Sequence, residues 1–155
     1  MSPQQVNQMD DRALLLENQL CFPIYAAARE VLNRYKPLLD AIGLTYTQYI
    51  VMMVLWEGRK LSVSRLGERL RLDSGTLTPL LKRLADKGLI RRKRSTQDER
   101  QVNVSLTPAG EALKEKALDI PHQISRCVNL DPGEAVTLYR LLYKVLAAPE
   151  CEPTS

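Results

Sequence analysis

The chain has 155 residues, 45% hydrophobic and 26% charged, with a formal net charge of +4, which describes one globular domain able to bury a core. No apolar run approaches the ~18 residues that span a bilayer. A single histidine, His122, and three scattered cysteines, Cys21, Cys127 and Cys151, supply neither a metal cluster nor a disulfide framework, so no metal or cofactor is expected.

In chain order, MSPQQVNQMDD carries neither a basic n-region nor an apolar h-region. No secretory signal is expected, and the chain is read as cytoplasmic with reduced thiols. Apolar residues then recur at helical spacing from Leu14 to Leu39. Pro23 interrupts them: either the helix bends there, or its regular part starts at Pro23 with Cys21 just outside. Gly43 ends the unit. Thr45-Tyr46-Thr47-Gln48 fits a capping box and opens a helix that stops at Gly58.

Ser62 starts the next helix, with Val63, Leu66 and Leu70 on its buried side. Asp73 or Ser74 caps the following one, whose apolar face is Leu77, Leu80, Leu81 and Leu84, and Lys87-Gly88 stops it. Pro79 is costly inside that helix, up to ~3 kcal/mol; a start at Thr78 with Pro79 at the first helical position would avoid the cost, but the longer helix is the one expected. Leu89 to Arg94 and Gln101 to Leu106 read as two strands joined by a polar tip. Thr107-Pro108 opens a helix that continues toward Cys127, with a bend expected at Pro121. Asp131-Pro132-Gly133-Glu134 is a second capping box, launching a last apolar helix that contains Val136, Leu138, Leu141, Leu142 and Val145.

The charge is polarised along this order. Arg59 to Arg100 holds 13 Lys/Arg and 5 Asp/Glu, a net of +8, and the remainder of the chain is −4. Basic charge on a helix–turn–helix followed by a ribbon is the footprint of a double-stranded DNA binder. Ser74 and Thr76 lie at the N-terminal end of the second helix, the part that meets base edges, and Thr78, Lys82 and Arg83 project from its polar face. Arg94 and Arg100 lie on the ribbon, where arginine suits a narrow minor groove. Asp98 stands two residues from Arg100 and can hold it in place while it points at DNA.

These residues also carry a resemblance. Asp98-x-Arg100 followed by Leu106-Thr107 and Gly110 resembles the wing signature of MarR-family winged-helix repressors, and Leu66–Ile90 resembles their helix–turn–helix. Two further segments, Leu20-Cys21-Phe22-Pro23-Ile24-Tyr25-Ala26 and Asp73-Ser74-Gly75-Thr76-Leu77-Thr78-Pro79-Leu80-Leu81-Lys82, resemble the organic-hydroperoxide-sensing OhrR branch.

The resemblance implies a mainly α fold with a small β-hairpin wing, organised as a helical homodimer. It implies a single domain over 1–155, with the winged helix–turn–helix at about 45–107. Dimerisation helices would occupy about 12–40 and 107–148. It implies a repressor on an inverted-repeat operator, a peroxide-sensing Cys21 assisted by Tyr35 and Tyr46, and Cys127 as the resolving thiol of an intersubunit disulfide.

Geometry adds a constraint to that implied site. Cys21 and Tyr35 are 14 residues apart, ~21 Å along a straight helix. If both serve one site, Tyr35 must come from a second subunit unless the helix turns back at Pro23. Two other readings stay open: a MarR-type repressor released by a small aromatic ligand, and a thiol peroxidase, for which the +8 segment has no use.

Overall fold

Two 3₁₀ turns, Asp11–Leu14 and Leu16–Asn18, lead into helix α1, Cys21–Asp40; the computed structural model describes residues 11–95 and 101–148. Neither option at Pro23 is the one adopted. The helix begins at Cys21 itself, and Pro23 occupies its first turn, where a missing N–H costs no intrahelical bond. The apolar periodicity upstream of Cys21 belongs to the 3₁₀ turns rather than to the α-helix. Gly43, with φ +70°, turns the chain after α1.

Helix α2, Tyr46–Gly58, starts on the capping box expected from its sequence. The Gln48 N–H donates to Thr45 Oγ1 at 3.3 Å, and the Thr45 N–H donates to Gln48 Oε1 at 3.1 Å. This helix is the hub of the core: Val51, Met52 and Leu55 are fully buried against Leu39 of α1 and against the leucines of the two helices that follow. Those are α3, Val63–Leu70, capped by Ser62, and α4, Ser74–Asp86, capped by Asp73. Leu66, Leu77, Leu81 and Leu84 are the side chains they bury. Pro79 is accommodated inside α4, as the leucine spacing requires.

Lys60–Ser62 (β1), Ile90–Arg94 (β2) and Val102–Leu106 (β3) form an antiparallel sheet in the order β1-β3-β2. Two strands are expected from the sequence; the third, β1, is too short to show alternation, and its last residue doubles as the cap of α3. Cross-strand partners share a face. Ile90 and Arg92 pair with Leu106 and Val104 on one face, and Arg91 and Lys93 pair with Ser105 and Asn103 on the other.

Beyond the sheet, Thr107 caps α5, Pro108–Ala117, accepting from the Gly110 N–H at 3.0 Å. The chain then breaks at Leu118 and Asp119 and restarts as α6, Ile120–Cys127. The expected bend at Pro121 is therefore a full break just upstream, with Pro121 in the first turn of the new helix. Helix α7, Pro132–Leu146, opens on its predicted capping box and has no buried residue. Its end is tied to the α3–α4 turn, where Arg71 donates to the Leu146 carbonyl at 3.0 Å. Among the described residues no helix is long and apolar enough to cross a membrane.

Candidate functional site

Two separate constellations emerge, one around the tyrosines and one on the basic face.

Tyr46 begins α2 and Tyr35 lies in the last third of α1, and the packing of these helices brings their rings together. The centroids are 5.0 Å apart in an edge-to-face arrangement. Tyr49, one turn after Tyr46, joins them at 6.0 Å from Tyr35, and Trp56 extends the row at 6.2 Å from Tyr49. Burial raises the Tyr35 hydroxyl above the ordinary phenol range, with Tyr46 and Tyr49 adding to the effect. Burial likewise raises Tyr46 and Tyr49, the latter also through Tyr46. Neutral phenols are hydrogen-bond donors, so the cluster offers protons to an anion placed beside it.

Cys21 is not part of that cluster within one chain. It is exposed at the N-terminus of α1, ~21 Å along the helix axis from Tyr35. Leu20, Phe22 and Ile24 around it are exposed as well. Cys127 is the last residue of α6 and is also exposed. Its backbone carbonyl accepts from the Arg34 guanidinium, and Arg34 precedes Tyr35 in α1. Cys127 therefore lies at the tyrosine end of α1, and Cys21 lies at the opposite end. Cys151 lies outside the described residues. No group of three or more His, Cys, Asp or Glu side chains among the described residues is arranged to hold a metal ion.

On the basic face, Ser74, Thr76, Thr78, Lys82 and Arg83 are all exposed on α4, opposite its buried leucines. The Asp73 carboxylate accepts from the Thr76 N–H at 2.8 Å and from the Thr76 hydroxyl at 2.9 Å. The backbone bond first, and the hydroxyl second, hold the Asp73 carboxyl below its usual range. The hydroxyl hydrogen of Thr76 is thus committed to the cap, leaving its oxygen lone pairs toward solvent.

A groove of about 690 Å³ separates α3 and α4 from the wing, with Arg71, Ser74 and Thr78 on one wall and Arg92 and Gln101 on the other. Arg94 ends β2 beside a second, more cationic hollow that also includes Lys60, Arg91 and Lys93. Asp98 and Arg100 lie outside the described residues.

Two contributors, Tyr49 and Arg34, are not expected from the sequence. Tyr49 sits three residues from Tyr46, a helical spacing that could have flagged it. Arg92, one of the basic residues of the hairpin, faces the groove because of strand alternation. Arg34 carries no local signal, because its partner is 93 residues away.

Residues 33–117 match the family described as Transcriptional regulator SarA/Rot. The chain belongs to that family of winged-helix regulators. As a transcriptional regulator of the MarR/SarA type it is not an enzyme.

Its curated relatives include the organic hydroperoxide resistance transcriptional regulator of Bacillus subtilis, 59% identical over 131 residues, covering 84% of this chain and 89% of the relative. Among solved structures, overoxidized AbfR bound to DNA matches with a TM-score of 0.74 at 36% identity, covering 89% of this chain and 97% of that one. AbfR comes from Staphylococcus epidermidis and has also been solved with its disulfide formed. BpsR of Bordetella bronchiseptica, whose DNA binding is regulated by 6-hydroxynicotinic acid, matches with a TM-score of 0.80 at 25% identity, covering 87% of this chain and 98% of that one. The SarA/Rot-type regulator is thus similar both to a relative named for organic hydroperoxide resistance and to DNA-bound winged-helix proteins.

Proposed function

We propose that this regulator is a repressor of the two-cysteine OhrR type. It binds an inverted-repeat operator as a homodimer and leaves it when an organic hydroperoxide oxidises Cys21. The observation that carries the reading is the arrangement along α1: Cys21 stands at one end, and Tyr35, Tyr46 and Cys127 gather at the other. A second copy running antiparallel would set each Cys21 against Tyr35, Tyr46 and Cys127 of the partner subunit.

The apolar residues left exposed support such a partner. Phe22, Ile24 and Leu32 of α1 and Val136, Leu138 and Leu141 of α7 are all exposed, more apolar helix surface than a monomer ordinarily presents. The homodimer buries them and completes the sensing site. In this reading the protein works in the cytoplasm, beside the DNA.

The chemistry follows from the groups assembled. Two neutral tyrosine hydroxyls donating to the Cys21 sulfur favour thiolate over thiol. The thiolate attacks the terminal peroxide oxygen, the O–O bond breaks, and the alkoxide leaves and takes a proton as alcohol. Cys21 becomes sulfenic acid, oxidised by two electrons. The thiolate of Cys127 of the partner subunit then attacks the Cys21 sulfur and expels hydroxide, which is protonated to water, closing the disulfide. Apolar Leu20 and Phe22 around the thiol favour alkyl over hydrogen peroxide.

A disulfide needs sulfurs ~2.05 Å apart, so where the reduced thiols lie further apart, α1 of one subunit or the end of α6 of its partner must shift. Such a shift alters the separation of the two α4 helices from the ~34–36 Å of successive major grooves. Ser74, Thr76, Thr78, Lys82 and Arg83 then lose their register, together with Arg94, Asp98 and Arg100 of the wing.

The test uses an operator duplex selected from a randomised pool. Cumene hydroperoxide at one equivalent should abolish binding, and dithiothreitol should restore it. A small aromatic acid that releases DNA from the Cys21→Ser variant would favour the ligand-released alternative. Sustained turnover of hydroperoxide with reductant would favour a peroxidase.

A further inference from the structure

The switch proposed above has two covalent steps, and Arg34 bears on only the second. Arg34 makes two interactions with α1 and α6: its Nε lies 3.2 Å from Glu30 Oε1, and its Nη1 donates to the carbonyl of Cys127. Helix α6 is eight residues long and ends at Cys127, with Val128 extended after it. The last carbonyls of a helix have no partner inside it, and a helix this short frays unless its end is held. Ile120 and Ile124 bury its first two turns in the core. At the last turn, the Arg34 bond holds the residue that bears the thiol.

Arg34 is itself held by Glu30 on the turn before, so the guanidinium is set in place from α1 rather than from α6. The bland role, a basic side chain capping a carbonyl terminus, would be served by any anchor at this point. What singles out Arg34 is where it stands. It is the residue before Tyr35, and it ties Cys127 to the end of α1 that carries the tyrosine cluster.

We infer that Arg34 is a positioning residue for the resolving step: it holds the α6 terminus so that the Cys127 thiol is presented to the sulfenic acid formed at Cys21 of the partner subunit. This rests on the two-cysteine reading above. The bonds made and broken are those already given, with attack by the Cys127 thiolate on the Cys21 sulfur and departure of hydroxide. Arg34 takes no proton or electron in it.

The experiment separates the two steps in the full-length protein. Stopped-flow oxidation by cumene hydroperoxide gives the rate of sulfenic acid formation at Cys21, trapped with dimedone. Non-reducing electrophoresis of quenched samples gives the rate of disulfide closure. In Arg34→Ala the first rate should stay within about twofold of the parent. The second should fall about tenfold, the loss of one charge-assisted hydrogen bond expressed as a rate, with dimedone-reactive Cys21 accumulating. Arg34→Lys keeps a donor within reach of the carbonyl and should recover most of the lost rate, even if α6 is loosened in the alanine variant.

Disulfide closure at the parental rate in Arg34→Ala, an equal slowing of both steps, or no recovery in Arg34→Lys would overturn the inference. Failure of the underlying reading looks different: the covalent dimer would then form undiminished in Cys127→Ser.

Discussion

Tyr35 and Tyr46 keep their protons well past neutrality because burial opposes the phenolate, and this makes them donors to a thiolate. A hydrogen bond to a charged group contributes about 1.5–3 kcal/mol, and each phenylalanine replacement removes one donor that favours the thiolate over the thiol. Oxidation at neutral pH should slow accordingly, measured by peroxide stopped-flow, while DNA affinity stays as in the parent. Cys21→Ser should bind DNA and ignore hydroperoxide altogether.

The same raised tyrosines have a consequence for stability. The unfolded chain releases its phenol protons near pH 10, and the folded chain holds them longer. Above that point the unfolded state binds fewer protons, so stability is intact below about pH 10 and falls as pH climbs through the raised folded values. Denaturant midpoints followed from pH 8 to 11 should decline, and less steeply in Tyr35→Phe. An identical decline in both proteins would contradict the burial argument.

At the scale of elements, the reading head is a helix whose hydrophobic and polar faces are cleanly divided. Lys82 projects from α4 toward solvent, away from Leu77, Leu81 and Leu84. If it neutralises one phosphate, Lys82→Ala should reduce the slope of log affinity against log salt by about 0.9. Arg100→Ala should do the same. The head depends on a tight joint at Gly110, where α5 leaves the sheet. A Cβ there would sit 2.0 Å from the Leu89 carbonyl oxygen, and the Trp56 Nε1–H donates to the Gly110 carbonyl at 2.9 Å. Gly110→Ala should lower stability by at least the ~1–3 kcal/mol of an overpacked site, seen as a reduced melting temperature.

Element by element, the sequence was readable wherever a local signal decided the outcome. Both capping boxes, the leucine face of α4 and the glycine stops at Gly43 and Gly88 form as their residues predict, because each depends on neighbours within one or two turns. β1 escaped because three residues carry no period and its pairing with β3 spans more than forty positions. The start of α1 differs from both expectations because Pro23 is permissible in a first turn as well as before one. The site was legible in its parts and not in its assembly. Spacing showed that Cys21 and Tyr35 could not meet along one helix, but only the folded chain places Cys127 beside Arg34, a contact with no trace in local sequence.

The whole molecule is an electrically divided one, with a basic reading head and an acidic remainder carrying exposed apolar helices at both ends. Helix α7 has no buried residue despite Val136, Leu138, Leu141 and Val145, so a monomer leaves the apolar side chains of this helix in water. Sedimentation at micromolar concentration should therefore give a dimer, and a monomer there would count against the architecture. The Arg71 bond to the Leu146 carbonyl joins that terminal helix to the turn of the reading head. A displacement of α7 would therefore bear on the turn between α3 and α4.

The most direct measurement of the central claim is subunit complementation. Cys21→Ser and Cys127→Ser are prepared separately, mixed, allowed to exchange subunits, and treated with one equivalent of cumene hydroperoxide before non-reducing electrophoresis. Neither variant alone should give a covalent dimer. The mixture should, through Cys21 of one chain and Cys127 of the other, and peptide mapping should recover that pair. No covalent dimer in the exchanged mixture, with parental protein closing Cys21 to Cys127 within single chains, would contradict a sensing site shared between subunits.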